Sequence, residues 1–202
     1  MKDAATLAKS LKFTFSPEKS AGKPQRDCRD CGVPSRYVNA SIEQVKNIQG
    51  IEIYQVLENY TCHYTGPFIL AGGTGCGKTH ASCAIINKFL EKRVSCRFVT
   101  IPMLAIEWDQ ERKNGTSFTN KFICPELLVL DDLGTRSPSE AFNDFLYTVI
   151  DERSNVPSCG TIITTNCSSE KMNELYGSRI VSRLTCGVIL KMGNEDRRKI
   201  EF

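Results

Sequence analysis

The chain has 202 residues, 41% of them hydrophobic and 24% charged, with a net charge of +3. This supports one sizeable core with at most a small appendage, and the mild basic bias is compatible with nucleic acid without demanding it. No apolar stretch approaches the ~18 residues of a membrane span, no secretory leader is apparent, and the ten cysteines are scattered, so a soluble, cytoplasmic protein with reduced thiols is expected.

Residues 1–32 are expected to form a short arm. An apolar-periodic piece, Leu7 to Phe15, precedes a Ser/Pro/Lys/Gly-rich stretch to Lys23-Pro24, and Cys28-Arg29-Asp30-Cys31-Gly32 follows. From residue 33 to 202 a single α/β domain is expected. Ser41 to Tyr60, apolar at Ile42, Val45, Ile48, Ile51, Val56 and Leu57, predicts helical pieces broken near Gly50. Pro67 to Ala71 is a strand and Thr79 to Lys92 a helix. Arg97 to Thr100 is β-prone, Met103 to Arg112 helical, and Asn114 to Ser117 a turn. Leu127 to Leu130 is an apolar strand, Glu140 to Arg153 a helix, Thr161 to Thr165 a strand, and Val188 to Leu190 a last strand before a charged tail. Strands alternating with helices imply a parallel sheet sandwiched by helices.

Gly72-Gly73-Thr74-Gly75-Cys76-Gly77-Lys78-Thr79 spells G-x-x-x-x-G-K-T directly after the first strand. Glycines let backbone N–H groups face phosphate oxygens, Lys78 would reach the β- and γ-phosphates, and the Thr79 hydroxyl would ligate Mg²⁺. The helix that follows adds its positive dipole end. These residues predict a nucleoside triphosphate site; His80, next on that helix, is read as structural rather than catalytic. Leu127 to Leu130 ends in Asp131-Asp132. Acids at a strand's carboxyl end land beside the phosphates, with Asp131 holding Mg²⁺ and Asp132 orienting and deprotonating the attacking water. Asn166, closing the strand that ends Thr164-Thr165, is a candidate γ-phosphate sensor, though Asn is also an ordinary turn residue. Arg179 and Arg183 share one helix face and have no acid within Gly177 to Gly187. They read either as solvated arginines or as a finger reaching a neighbouring subunit's γ-phosphate. Cys28-x-x-Cys31 has half of a zinc site's spacing, and completing it with Cys62 and His63 would need the arm to fold back; plain reduced thiols are the reading preferred here.

Val33 to Ser41, Gly72 to His80, Asp131-Asp132-Leu133-Gly134, Ile163 to Asn166 and Ser178 to Leu184 occur in this order. Together they resemble the AAA+ ATPases of the DnaC-type helicase-loader group, which includes the IstB-type transposition ATPases. Lys-Thr-His after the loop, and Asp-Asp where many AAA+ proteins have Asp-Glu, are particularly like this group. The resemblance implies a P-loop NTPase core with a reduced or absent C-terminal lid, and Val33 to Ala40 near the adenine. It implies ATP and Mg²⁺ at Lys78, Thr79, Asp131 and Asp132, a first sensor at Asn166, and a trans-acting finger at Arg183 with Arg179 the second choice. It also implies self-association across ATP, binding to single-stranded DNA and to a replicative helicase, and DNA near Met103 to Lys121 with Trp108, Arg112, Lys113 and Lys121. Arg197 or Arg198 would substitute for a second sensor. An IstB-like role beside a transposase, or a nucleotide-gated module with little turnover, are the alternatives.

Overall fold

A computed structural model describes residues 30–62, 66–114, 119–135 and 137–193. The expected arm helix, most of the turn after residue 114, and Arg197 and Arg198 lie outside them. Among the described residues there are five strands: β1 (Gly66–Ala71), β2 (Cys96–Thr100), β3 (Leu127–Leu133), β4 (Gly160–Thr165) and β5 (Val188–Lys191). They form one parallel sheet in the order β2-β3-β4-β1-β5. The three central strands are covered on both faces, which is why β1, β3 and β4 are buried almost without a break, and why Phe68 to Ala71 and Leu127 to Leu130 read as apolar runs rather than alternating ones.

Helices α1 (Ile42–Gln49), α2 (Ile51–Cys62) and α3 (Lys78–Glu91) cover one face of the sheet. Helices α4 (Ile101–Asn114), α5 (Asn120–Ile123), α6 (Glu140–Ser154) and α7 (Ser169–Thr185) cover the other. Side chains alternate between these two cores: Phe68 and Leu70 enter the first, Ile69 the second. Helix α1 starts where Ser41 and Gln44 form a reciprocal capping box. It stops at Gly50, whose φ of 90° is open to glycine, so the predicted break falls there.

Residues 30–32, grouped with the arm in the sequence, pack against the sheet, with Cys31 buried in the first core. The Phe98 N–H donates to the Cys31 carbonyl at 2.7 Å, covering the outer edge of β2. A Cβ on Gly32 would lie 2.5 Å from the Phe98 oxygen, so only glycine permits this approach. At the amino-terminal ends of β3 and β4, the buried Arg153 guanidinium donates to the carbonyls of Phe122 (3.0 Å), Ile123 (3.0 Å), Pro125 (2.6 Å) and Gly160, and to Thr161 Oγ1 (2.9 Å). One side chain thereby satisfies the carbonyl-rich end of α5, a short helix that no periodicity announces.

Candidate nucleotide-binding site

Strand β1 delivers the chain into the glycine-rich loop. The Gly72 N–H donates to Thr165 O at 3.2 Å, tying the loop's first residue to β4. A Cβ there would lie 2.8 Å from Met192 O and 3.0 Å from Cys76 Sγ, which excludes any larger residue. Gly75 and Gly77 have φ of 75° and 97°, and Cys76 between them turns its thiol inward to full burial. Among the described residues the N–H groups of residues 73–77 make no hydrogen bond within the protein. They form a run of donors suited to an anion, continued by the free N–H groups at the start of α3. Lys78 is nearly buried, and its ammonium donates to Gly73 O (2.6 Å) and Gly72 O (3.0 Å) and lies 3.7 Å from Cys76 Sγ.

Across the loop, Thr79 Oγ1 contacts both carboxylate oxygens of Asp131, at 3.0 and 3.1 Å. Thr164 Oγ1 donates to Asp131 at 2.7 Å and accepts the Asp132 N–H at 2.9 Å. Burial pushes the Asp131 carboxyl up to about 6, against the opposing hydrogen bond from Thr164, with the Asp132 charge adding to the rise. Strand β3 runs past the predicted end at Leu130, and its pairing with β4 slips between Leu130 and Leu133. Asp132 sits in this bulge with φ of 61°, a left-handed conformation rare for a residue with a Cβ. The bulge re-aims the second carboxylate relative to the first.

Asn166 is exposed, one residue beyond β4. His80 is half-buried with its ring edge-on to Tyr37 at 6.0 Å, and burial lowers its pKa against the opposing backbone hydrogen bond of Ser41. The segment expected near adenine is held on α3, where Asn87 Nδ2 donates to Val38 O (3.2 Å) and Ala40 O (2.8 Å). Helix α7 kinks at Gly177 (φ 79°), and both arginines beyond the kink rest on α6. The Arg179 guanidinium lies 4.3 Å over the Tyr147 ring, and Arg183 Nε lies 2.7 Å from Asp151 Oδ1. The acid absent from their own segment is thus supplied by a neighbouring helix. In the segment expected near DNA, Trp108 packs on Phe142 and Phe145, Arg112 and Lys113 pair with Asp109, and Lys121 pairs with Glu111.

Cys31 is buried in the first core, whereas Cys28, His63 and the Cys62 side chain lie outside the described residues. Among the described residues no group of three His, Cys, Asp or Glu side chains is placed to hold a metal ion. The hard oxygens of Thr79 and Asp131, beside the phosphate loop, are nonetheless the donor types that Mg²⁺ takes together with phosphates. Sequence reasoning missed two contributors here, Thr164 and Gln49, whose Nε2 donates to the Cys76 carbonyl in the loop. Three hydroxyls in a fully buried strand, Thr161, Thr164 and Thr165, were the available signal for Thr164, because a buried hydroxyl needs a partner.

The site has relatives. Residues 41–191 match the family described as IstB-like ATP binding protein. The chain is 28% identical over 179 residues to the replicative helicase loader DnaC of Escherichia coli K12, covering 84% of this chain and 73% of that one. Its fold matches the crystal structure of the DnaC helicase loader with a TM-score of 0.69 at 23% identity, over 80% of this chain and all of that one. It also matches AMPPCP-bound DnaA from Aquifex aeolicus with a TM-score of 0.70 at 20% identity, over 79% of this chain and 51% of that one. With its phosphate loop, its paired acids and its all-parallel sheet, this chain belongs to the IstB-like ATP-binding proteins of the DnaC/IstB-type AAA+ group.

Proposed function

We propose that this protein hydrolyses ATP at interfaces between its own copies and loads a replicative helicase, its ATP state governing binding to the helicase and to single-stranded DNA. One observation supports turnover most directly. The free loop N–H groups, the Lys78 ammonium and the Thr79–Asp131–Thr164 cluster meet at the carboxyl ends of β1, β3 and β4.

In this reading the loop N–H groups and Lys78 grip the β- and γ-phosphates, the ammonium leaving the Gly72 and Gly73 carbonyls to do so. Thr79 and Asp131 would hold Mg²⁺, whose charge would offset that of the phosphate oxygens. Asp132 accepts the proton of a water whose oxygen bonds to the γ-phosphorus as the bond to the β–γ bridging oxygen breaks, leaving ADP and phosphate. Asn166 hydrogen-bonds the γ-phosphate or that water, and Arg183 from an adjacent copy stabilises the charge that develops. The partner assignment leans on the similarity to a helicase loader over most of the chain. Membership of the IstB-like ATP-binding proteins, together with the sequence's resemblance to IstB-type transposition ATPases, supports a second reading, assistance to a transposase in choosing DNA targets.

Light scattering with a non-hydrolysable ATP analogue, with and without a single-stranded oligonucleotide, should show the protein growing into a multi-copy assembly. Co-purification with a hexameric helicase supports loading, whereas co-purification with a transposase alone supports the second reading. Unchanged phosphate release in Asp132→Asn, with ATP binding intact, would remove hydrolysis and leave a nucleotide-gated binding module.

A further inference from the structure

Gln49 closes α1, far in sequence from the phosphate loop, yet its side-chain amide joins the loop to the chain leaving β5. Its Nε2 donates to the Cys76 carbonyl, and its Oε1 accepts from the Gly193 N–H at 3.4 Å. The two contacts together decide which end of the amide faces which partner. Just before Gly193, the Met192 N–H donates to Ala71 O at 2.7 Å, and Met192 O sits where a Cβ on Gly72 would intrude. The chain after β5 therefore backs the root of the loop, and Gln49 clasps its tip.

The consequence follows from the peptide unit. The Cys76–Gly77 amide is planar and trans, so its C=O and N–H point in opposite directions. Fixing the Cys76 oxygen on Gln49 fixes the Gly77 N–H away from Gln49. Gly77, with φ of 97° and no Cβ, is free to rotate that plane in a way other residues are not. We propose that Gln49 is a positioning residue for nucleotide binding, locking the Cys76–Gly77 peptide plane so that the Gly77 N–H is held toward the β-phosphate before ligand arrives. This deepens the nucleotide-binding reading above and rests on it. A donor aligned in advance spares the bound state the reorganisation that a freely flipping glycine peptide would require.

Gln49→Leu removes both contacts. Gln49→Glu keeps an acceptor for Gly193 but turns an oxygen on the Cys76 carbonyl, and Gln49→His keeps a donor. The test is ADP·Mg²⁺ affinity by calorimetry, the unfolding midpoint of each nucleotide-free protein, and ¹⁵N-glycine spectra with ADP. Affinity should fall about three- to tenfold in Gln49→Leu and Gln49→Glu, the worth of one oriented hydrogen bond, with partial recovery in Gln49→His. The Gly77 amide proton should shift downfield with ADP in the wild type and less so in the two weakened variants. Wild-type affinity in Gln49→Leu and Gln49→Glu, or a loss that tracks a lowered midpoint while the Gly77 shift stays wild-type, overturns the peptide lock alone. Failure of the wild type itself to bind ADP, or full binding by Lys78→Ala, overturns the nucleotide-binding reading with it.

Discussion

Replacing Thr164 by Val tests the inner geometry of the site, because the two side chains have nearly the same shape while only one carries a hydroxyl. That hydroxyl lies in a fully buried position, gives its proton to Asp131 at 2.7 Å and takes the Asp132 N–H at 2.9 Å. At neutral pH Asp131 is charged, so the first bond is charge-assisted and its loss costs about 1.5–3 kcal/mol. The second leaves the Asp132 N–H unpaired in a strained left-handed residue, about 1–3 kcal/mol more, the two overlapping because they share one atom. A net loss of about 3 kcal/mol is expected, or roughly 6–12 °C in unfolding midpoint for a chain of this size. Thermal unfolding at pH 7.5 reads this, and Thr164→Ser, which keeps the hydroxyl, should lose only about 1 kcal/mol. Phosphate release should fall in Thr164→Val beyond what its folded fraction accounts for, since both acids lose their common anchor. A Thr164→Val protein as stable as Thr164→Ser, with undiminished turnover, would refute the role given to this hydroxyl.

Lys78→Ala should lose ATP affinity by a hundredfold or so, the worth of a desolvated charge-assisted contact of about 3 kcal/mol; near-normal titration would contradict the loop assignment. Arg183→Ala should bind ATP and hydrolyse it poorly, and mixing it with Asp132→Asn subunits should restore turnover at hybrid interfaces; no recovery on mixing argues against a finger acting in trans. Arg153→Met strips five acceptors of their buried donor and should destabilise by on the order of 3–5 kcal/mol, measured by urea denaturation; a loss under 1 kcal/mol would mean water takes over. Single-stranded DNA affinity should fall with salt at a slope of about 0.7 per phosphate contacted, and a flat response in filter binding would take DNA out of the proposal.

Much of this architecture was legible in one dimension. Glycine spacing and the apolar runs ending at Ala71 and Leu130 encode the loop and the strands before it locally, since a turn with φ of 75° and 97° needs residues without a Cβ and a covered strand needs apolar side chains. The helix break at Gly50 and the placing of Asp131 and Asp132 at the carboxyl end of β3 follow from the same local chemistry. What lay beyond reach depended on residues distant in sequence. Strand order places β4 between β1 and β3, and only that adjacency turns Thr164 into the shared anchor of two acids. The slipped register that gives Asp132 its positive φ arises from β3 pairing with β4. Arg183 had no acid within Gly177 to Gly187 and acquired one from α6, while Arg112, Lys113 and Lys121 proved to be paired. Gln49 reached the loop only because α1 packs beside α3. Short-range sequence sets which conformations each segment prefers. Packing alone decides which polar groups, brought out of water together, must satisfy one another.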